Sequence, residues 1–385
     1  MGEVFRTALR LGLTSFGGPV AHLGYFRQEY VARRGWLDEE QFGELVALTN
    51  LLPGPSSSQL GIAIGTQRAG KLGGLAAWVG FTLPSALALT AVALWARNVD
   101  LARAGWVHGL ELAAAAVVAT AVVAMARTLA RGRGRALLAV AAAAVALLVP
   151  GSTGQIVTIL AAALVGAVAF RGSVRPLPLT MRFPIGRRLS VAAAALFVAL
   201  LLGLPFAAAA SGWHVLELSH AFYRAGALVF GGGHVVLPLL NDAVVGPGWV
   251  SQQAFLAGYG VAQAVPGPLF TFSAYLGAIE QPSPNGVSGA AIALCAIFLP
   301  SFLLLAAVLP VWSRVRERAR VQAAVAGIGA AVVGLLAAAL WNPILSTSVH
   351  GVGDVVFAAV LFLLLRPLPA WAVVGIAAAA GALVF

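Results

Sequence analysis

Apolar residues run along this chain in long stretches, separated by glycine, proline and short arginine-bearing segments. The stretches predict membrane-crossing helices at roughly 72–95, 106–130, 136–149, 155–170, 189–210, 287–311, 321–341, 354–365 and 370–385. Several are short for a full span, 354–365 most of all. Two places read differently. Leu51-Leu52-Pro53-Gly54-Pro55-Ser56-Ser57-Ser58-Gln59 lies between apolar runs at 40–52 and 56–68. Each run is about 13 residues, or roughly 20 Å as helix, too short for a hydrocarbon core of roughly 30 Å. Pro53 and Pro55 cannot donate backbone hydrogen bonds, and Gly54 permits a sharp turn. The pattern predicts two half-helices meeting inside the membrane, where broken backbone survives only against protein or a polar cavity. The second half-helix is expected to begin at Pro55, with free N–H groups and the hydroxyls of Ser56, Ser57 and Ser58 facing the break. That is an anion site by construction. The same break recurs at Pro266-Gly267-Pro268, followed by Leu269, Phe270 and Thr271.

The recurrence extends over most of the chain. Arg10 and Phe16-Gly17-Gly18-Pro19 match Arg224 and Phe230-Gly231-Gly232-Gly233. Gly35-Trp36 matches Gly248-Trp249, and Leu83-Pro84-Ser85 matches Leu299-Pro300-Ser301. The order is kept and the offset drifts only slightly, so 4–127 and 218–341 read as two copies of one unit. Around them the sequence divides into a first repeat at 1–170, a linker at 171–188 and a second repeat at 189–385.

Positive charge orients the copies. Arg27, Arg33 and Arg34 have no counterpart in 241–253, and Arg68 and Lys71 none in 280–286. After the Leu-Pro-Ser helix the bias reverses, with two arginines in 97–103 against four in 314–320. Parallel copies would not produce this alternation, and inverted copies would. Threaded so, cytoplasmic segments hold 18 of the 24 Lys and Arg and the external loops hold two. The threading also makes 4–34 and 218–240 turn back at Gly17-Gly18-Pro19 and Gly231-Gly232-Gly233. The expected fold is an all-α polytopic membrane protein of two inverted repeats with re-entrant helices. A glycine-kinked ordinary span is the competing reading.

Composition agrees: 60% of residues are hydrophobic, 10% charged, and mean hydropathy is +0.93. The net charge of +11 belongs to loop arginines and implies no nucleic acid. One cysteine, Cys295, excludes an internal disulfide and a Cys-pair redox site. No spacing suggests a metal site, and no cofactor is expected. The lipid bilayer is the evident partner; a homodimer is compatible with the class.

Candidate chemistry follows from polar groups within apolar segments. Arg10 and Arg224 share a repeat position. Either can converge on an anion near a pseudo-twofold axis, although Arg10 can also snorkel to headgroups. His22 and His234 follow the glycine breaks and can donate to an anion, move a proton or simply pack. Asn50 and Gln263 precede the two Pro-Gly-Pro breaks, and Gln59 follows the first; their amides can bind an oxyanion or cap a helix end. Thr271 stands where the first copy has Ser58, and Leu269 and Phe270 make that half more apolar, so the site is expected to be asymmetric. Glu44 and Glu111 are the acids for proton coupling, or else interfacial carboxylates.

The ordered set Phe16-Gly17-Gly18-Pro19-Val20-Ala21-His22, Gly35-Trp36-Leu37, Leu52-Pro53-Gly54-Pro55, Gln59, Gly61 and Leu83-Pro84-Ser85 resembles the chromate ion transporter family. The second copy, Phe230 through Pro268, resembles that family's C-terminal half. The resemblance implies a long-chain member whose halves arose by duplication and lie in opposite orientations. It implies export of chromate from the bacterial cytoplasm through the inner membrane, driven by the proton motive force. Leu269-Phe270 departs from the pattern. Sulfate shares the shape and charge of chromate, so a general oxyanion porter stays open. A passive anion channel and a membrane-embedded enzyme stay open behind it, the latter without redox ligands or a nucleophile–base pair.

Overall fold

The computed structural model describes residues 1–16, 18–97, 105–149, 152–170, 183–230, 236–312 and 318–384, and every regular element among them is a helix. The first part comprises α1 (Gly2–Thr14), α2 (Gly18–Phe26) with a π-helical turn at Arg27–Arg33, α3 (Glu39–Leu51), α4 (Ser56–Ala96), α5 (Gly105–Leu129), α6 (Arg133–Leu148) and α7 (Ser152–Ala169). One helix, α8 (Arg187–Ser211), stands between. Then come α9 (His214–Leu228), α10 (Val236–Val244), α11 (Gln252–Ala264), α12 (Phe272–Ile279), α13 (Gly286–Val308), α14 (Ala319–Ala339), α15 (Val352–Leu364) and α16 (Ala370–Val384). Five helical stretches, 56–96, 105–129, 187–211, 286–311 and 319–348, are long and apolar enough to cross a bilayer. The protein is a multi-pass membrane protein. Trp95, Trp213, Trp341 and Trp371 lie exposed near helix ends, as an interfacial aromatic belt requires.

The two short helices before the proline breaks end for the same reason. α3 starts from an Asp38–Gln41 capping box, and α11 from Ser251, whose Oγ accepts from Ala254 N at 3.2 Å. Each runs 13 residues and stops at a residue in extended conformation, Leu52 or Val265, because the following proline disfavours helical backbone there. The next helix starts at Ser56 with Pro55 as its cap, one residue later than the sequence suggested. In the second copy a 3₁₀ turn at Leu269–Thr271 intervenes before α12.

α4 is not straight. Ala69 and Gly70 leave helical geometry, and the chain reverses there tightly enough for Gly65 and Gly73 to touch. The α12–α13 turn brings Gly277 and Gly289 together in the same way. Past its bend, α4 runs from Lys71 to Ala96, about 39 Å of helix. At its near end Glu3 pairs with Arg34 at 3.0 Å and Arg68 at 3.5 Å, and both guanidinium groups lie 5.2 Å from the Trp36 ring. At its far end Arg97 approaches Gly286. Close in sequence to Gly286, Glu280 pairs with His214 at 3.0 Å, and the His214 ring packs edge-on against Trp249. Trp36 and Trp249 are repeat counterparts, so equivalent junctions of the two copies lie toward opposite ends of one long helix.

The copies exchange partners. α5 packs on α15 and α16, whereas α14 packs on α6 and α7. Small residues make both crossings close. A Cβ on Gly109 would strike the Ala377 carbonyl, and a Cβ on Gly327 would strike the Ala162 carbonyl. Gly381 and Gly166, four residues beyond those contacts, complete small-xxx-small faces. Without water to drive apolar association, such backbone proximity is how membrane helices gain contact energy.

Candidate anion site at two reciprocal helix breaks

Each Pro-Gly-Pro break is bonded to the residue two positions before the glycine run of the other copy. The Gly54 amide donates to the Val229 carbonyl at 2.6 Å, and the Gly267 amide donates to the Ser15 carbonyl at 3.0 Å. Gly54 and Gly267 are repeat counterparts, as are Ser15 and Val229. Behind each glycine stands the serine of the other copy's Leu-Pro-Ser: a Cβ on Gly54 would come 2.7 Å from Ser301 Oγ, and one on Gly267 2.7 Å from Ser85 Oγ. Both glycines have positive φ, 118° and 110°. The geometry therefore joins the two halves at the points where neither can form a continuous helix.

One side of this junction is polar. Ser56, Ser57, Ser58 and Gln59 are buried in the first turn of α4. The first intrahelical bond there runs from Gln59 N to the Pro55 carbonyl, so the N–H groups of the three serines precede it and point toward the break. His22, fully buried in α2, reaches both parts: Nδ1 lies 3.2 Å from Ser57 Oγ and Nε2 3.2 Å from the Ser15 carbonyl. Phe26 and Phe81 enclose its ring. Gln59 Nε2 donates to the Pro53 carbonyl at 2.6 Å and holds the loop. Ser15 Oγ, Ser58 Oγ and Gln59 Oε1 are buried without a hydrogen-bond partner among the described residues. Buried polar atoms left open in this way suit a polar ligand.

The other side is apolar. His22 has Val236 as its counterpart, and Ser57 has Phe270; both replacements are buried. Thr271 spends its hydroxyl on the Pro268 carbonyl at 2.7 Å, and Ser273 on Phe270 at 2.8 Å. Those bonds cap the second break and leave little for a ligand.

The other residues singled out from sequence scatter around this junction. Gln263 is half-buried with its Nε2 open, and Asn50 is exposed at the end of α3. Arg10 is exposed on α1. Arg224 is half-buried in α9 with Asp242 as its electrostatic neighbour. Asp242 accepts from Gln155 at 2.7 Å beside a cavity of about 260 Å³ lined also by Asn241 and Asn342. Glu44 is buried in α3, and Glu111 is buried in α5 with its carboxylate 3.6 Å from His108. Gly18 has positive φ at the start of α2, with Pro19 in the first turn. Gly17, Gly231, Gly232, Gly233 and His234 lie outside the described residues, as does most of the 171–188 linker.

The family model described as chromate transporter matches residues 2–167 and 216–382. The chain belongs to the chromate transporter family. Each matched segment holds one glycine run and one Pro-Gly-Pro break, so the reciprocal bonds run between the two matched segments of a family member. The chain is 28% identical over 339 residues to a chromate transport protein of Pseudomonas aeruginosa, covering 87% of this chain and 79% of that one. It is 28% identical over 338 residues to a probable chromate transport protein of Synechococcus elongatus, covering 86% and 81%. With the chromate transport protein of Cupriavidus metallidurans identity is 29% over 343 residues, covering 86% and 80%. No solved structure matches the chain.

Within this chromate transporter family member, sequence reading missed three features. Ser15 was not singled out, although its carbonyl receives both the Gly267 amide and the His22 ring. Ser85 and Ser301 were marked by the repeat, but nothing in their spacing indicated that each backs the other copy's break. The His214–Glu280 pair joins residues 66 apart, so no local pattern announces it. In the turn after α12, burial pushes the Glu280 carboxyl up to about 7, against the lowering effect of its His214 bond.

Proposed function

We propose that this protein exports chromate, a tetrahedral dianion, across the bacterial inner membrane by alternating access about the junction of the two breaks. The observation that carries the reading is the reciprocal pair of bonds, Gly54 to Val229 and Gly267 to Ser15, beside a half-helix N-terminus presenting three serines and His22. Free N–H groups and hydroxyls at a helix start favour an anion. The relatives' names supply the choice of chromate among oxyanions.

The repeats, 1–170 and 189–385, are read as inverted and joined by the 171–188 linker. Supporting this, the Glu3–Arg34–Arg68 and His214–Trp249–Glu280 junctions lie toward opposite ends of α4. Four crossings return the first copy to the arginine-rich side, and α8 then carries the chain over. Both membrane hairpins of each copy are re-entrant in this reading. Inverted repeats around broken helices are a common plan for alternating access. Membrane potential favours the export direction. Each charge moved through 100 mV is worth about 2.3 kcal/mol, so a dianion leaving a negative interior gains about 4.6 kcal/mol before any proton moves. For proton coupling, Glu44, Glu111 and the near-neutral Glu280 are the carboxylates in play.

Inside-out membrane vesicles test the reading with labelled chromate, with and without a gradient, and with excess sulfate. Gradient-dependent accumulation that sulfate barely inhibits is expected. Equal suppression by sulfate would make the protein a general oxyanion porter. Failure to accumulate against a gradient would point to a channel. Arg224→Ala is expected to lower chromate uptake at least tenfold while the protein still reaches the membrane. Normal uptake by that variant would remove Arg224 from the mechanism.

A further inference from the structure

We propose that His108, His350 and Asp354 bind a divalent transition-metal ion, of the Zn²⁺ class, at the junction of α5 and α15. The three side chains come from parts of the chain 246 residues apart, and their ligand atoms lie within 4.8 Å of one another. His108 Nε2 is 2.9 Å from Asp354 Oδ1, and the His108 and His350 rings have centroids 5.4 Å apart. On a tetrahedral Zn²⁺, ligand atoms sit about 3.3 Å from one another, given bond lengths near 2.0–2.1 Å. His350 is exposed at the surface, so rotation of its side chain closes the remaining gap.

Two details fit a metal better than a helix cap alone. Asp354 Oδ2 accepts from the backbone N–H groups of His350 at 2.8 Å and Gly351 at 3.1 Å, which caps α15 and fixes the carboxylate. Capping uses only that oxygen. Oδ1 is thereby left facing the His108 imidazole, while the His350 Nδ1 lies 4.0 Å from Oδ2. Behind His108, one turn along α5, the buried Glu111 carboxylate lies 3.6 Å from Nδ1. Without a metal, the His108 Nε2–H donates to Asp354 Oδ1; an ion between them would displace that proton, and Glu111 stands close enough on the Nδ1 side to take up the ring's remaining N–H as an outer-shell partner. Two imidazole nitrogens and one carboxylate oxygen suit Zn²⁺, Co²⁺, Ni²⁺ or Cu²⁺, whereas Mg²⁺ and Ca²⁺ take oxygen ligands. The ligands come from α5 of the first repeat and the last hairpin of the second. A bound ion would reinforce the polar contact, His108 to Asp354, that the described side chains of these elements make across a largely apolar packing.

Sequence spacing gave no hint of this site, because neither histidine has a metal-spaced neighbour along the chain. The test uses the full chain in detergent, purified without a polyhistidine tag, stripped with chelator and titrated with Co²⁺ and then Zn²⁺. Expected is about one Co²⁺ per chain, with visible d–d absorption that equimolar Zn²⁺ abolishes. His350→Ala is an exposed change that spares the fold and should weaken Zn²⁺ binding at least tenfold. Glu111→Gln should weaken it about 10–100-fold, the range for loss of an outer-shell partner. Absence of stoichiometric Co²⁺ or Zn²⁺ binding by the folded protein would overturn the proposal, as would unchanged affinity in both His350→Ala and His108→Ala.

Discussion

Gly54→Ala is expected to cut chromate uptake about 100-fold, and Gly267→Ala to fall only slightly short of that. Two physical effects add. At φ of 118° and 110° an L side chain is strained, at a cost of about 1–3 kcal/mol. The new methyl also has no room. On Gly54 it would lie 2.6 Å from Gln59 Nε2 and 2.7 Å from Ser301 Oγ; on Gly267 it would lie 2.7 Å from Ser85 Oγ. Gln59 cannot move aside without releasing the Pro53 carbonyl it holds at 2.6 Å. Any shift of the Gly54 backbone also stretches its 2.6 Å bond to Val229, the contact that joins the copies. A combined loss of about 3 kcal/mol in the bonded conformation corresponds to about 100-fold. Gly54 is the more sensitive of the pair because its loop carries the polar half of the junction. The measurement is initial uptake in vesicles, normalised to protein in the membrane. Gly43→Ala serves as control, because a Cβ there meets nothing. Uptake by Gly54→Ala within twofold of the parent would mean that the Gly54–Val229 contact is incidental.

Much of this architecture was legible because the chain states its key features twice. Pro53-Gly54-Pro55 and Pro266-Gly267-Pro268 end α3 and α11 by covalent geometry, which no tertiary context overrides, and the observed helix ends follow them within a residue. The serine run after the first break and the apolar run after the second likewise told which half is polar. What the sequence does not carry is pairing between copies. Nothing in Ser15 or Val229 distinguishes them from other residues near a glycine run. Their role comes from carbonyls, which every residue has, and from where the fold places them against the other copy. His108, Asp354 and His350 were hidden for a related reason: a site spread over 246 residues leaves no local pattern. Arg10 and Arg224 show the opposite case. Their repeat position suggested a shared role, yet Arg10 is exposed on α1 while Arg224 lies half-buried near Asp242.

His22→Phe should reduce uptake at least tenfold, whereas His22→Gln should keep uptake but lose its strengthening at lower pH. The reason lies in which way the His22–Ser57 bond runs. The Ser15 carbonyl can only accept, so the proton of a neutral His22 sits on Nε2. Nδ1 then offers a lone pair, and Ser57 donates its hydroxyl hydrogen to it across 3.2 Å. In that state Ser57 presents only lone pairs to an incoming anion. When His22 takes up a proton, Nδ1 becomes the donor and Ser57 accepts. The hydroxyl hydrogen is released to point toward the anion, and the imidazolium adds a positive charge to the half-helix N-terminus. Anion binding and proton uptake therefore favour each other, and by reciprocity a bound dianion holds the proton in place. Burial opposes the charged ring, so His22 takes its proton together with the dianion; chromate affinity should then rise as pH falls, whereas a site of neutral donors alone would show no such dependence. Phenylalanine fills the space between Phe26 and Phe81 but breaks both hydrogen bonds; glutamine keeps a donor and an acceptor but cannot titrate. Substrate concentration at half-maximal uptake, measured across pH in parent and variants, separates the two roles. If His22→Gln retains the full pH dependence, the proton is taken elsewhere, and the buried carboxylates Glu44 and Glu280 become the next groups to change.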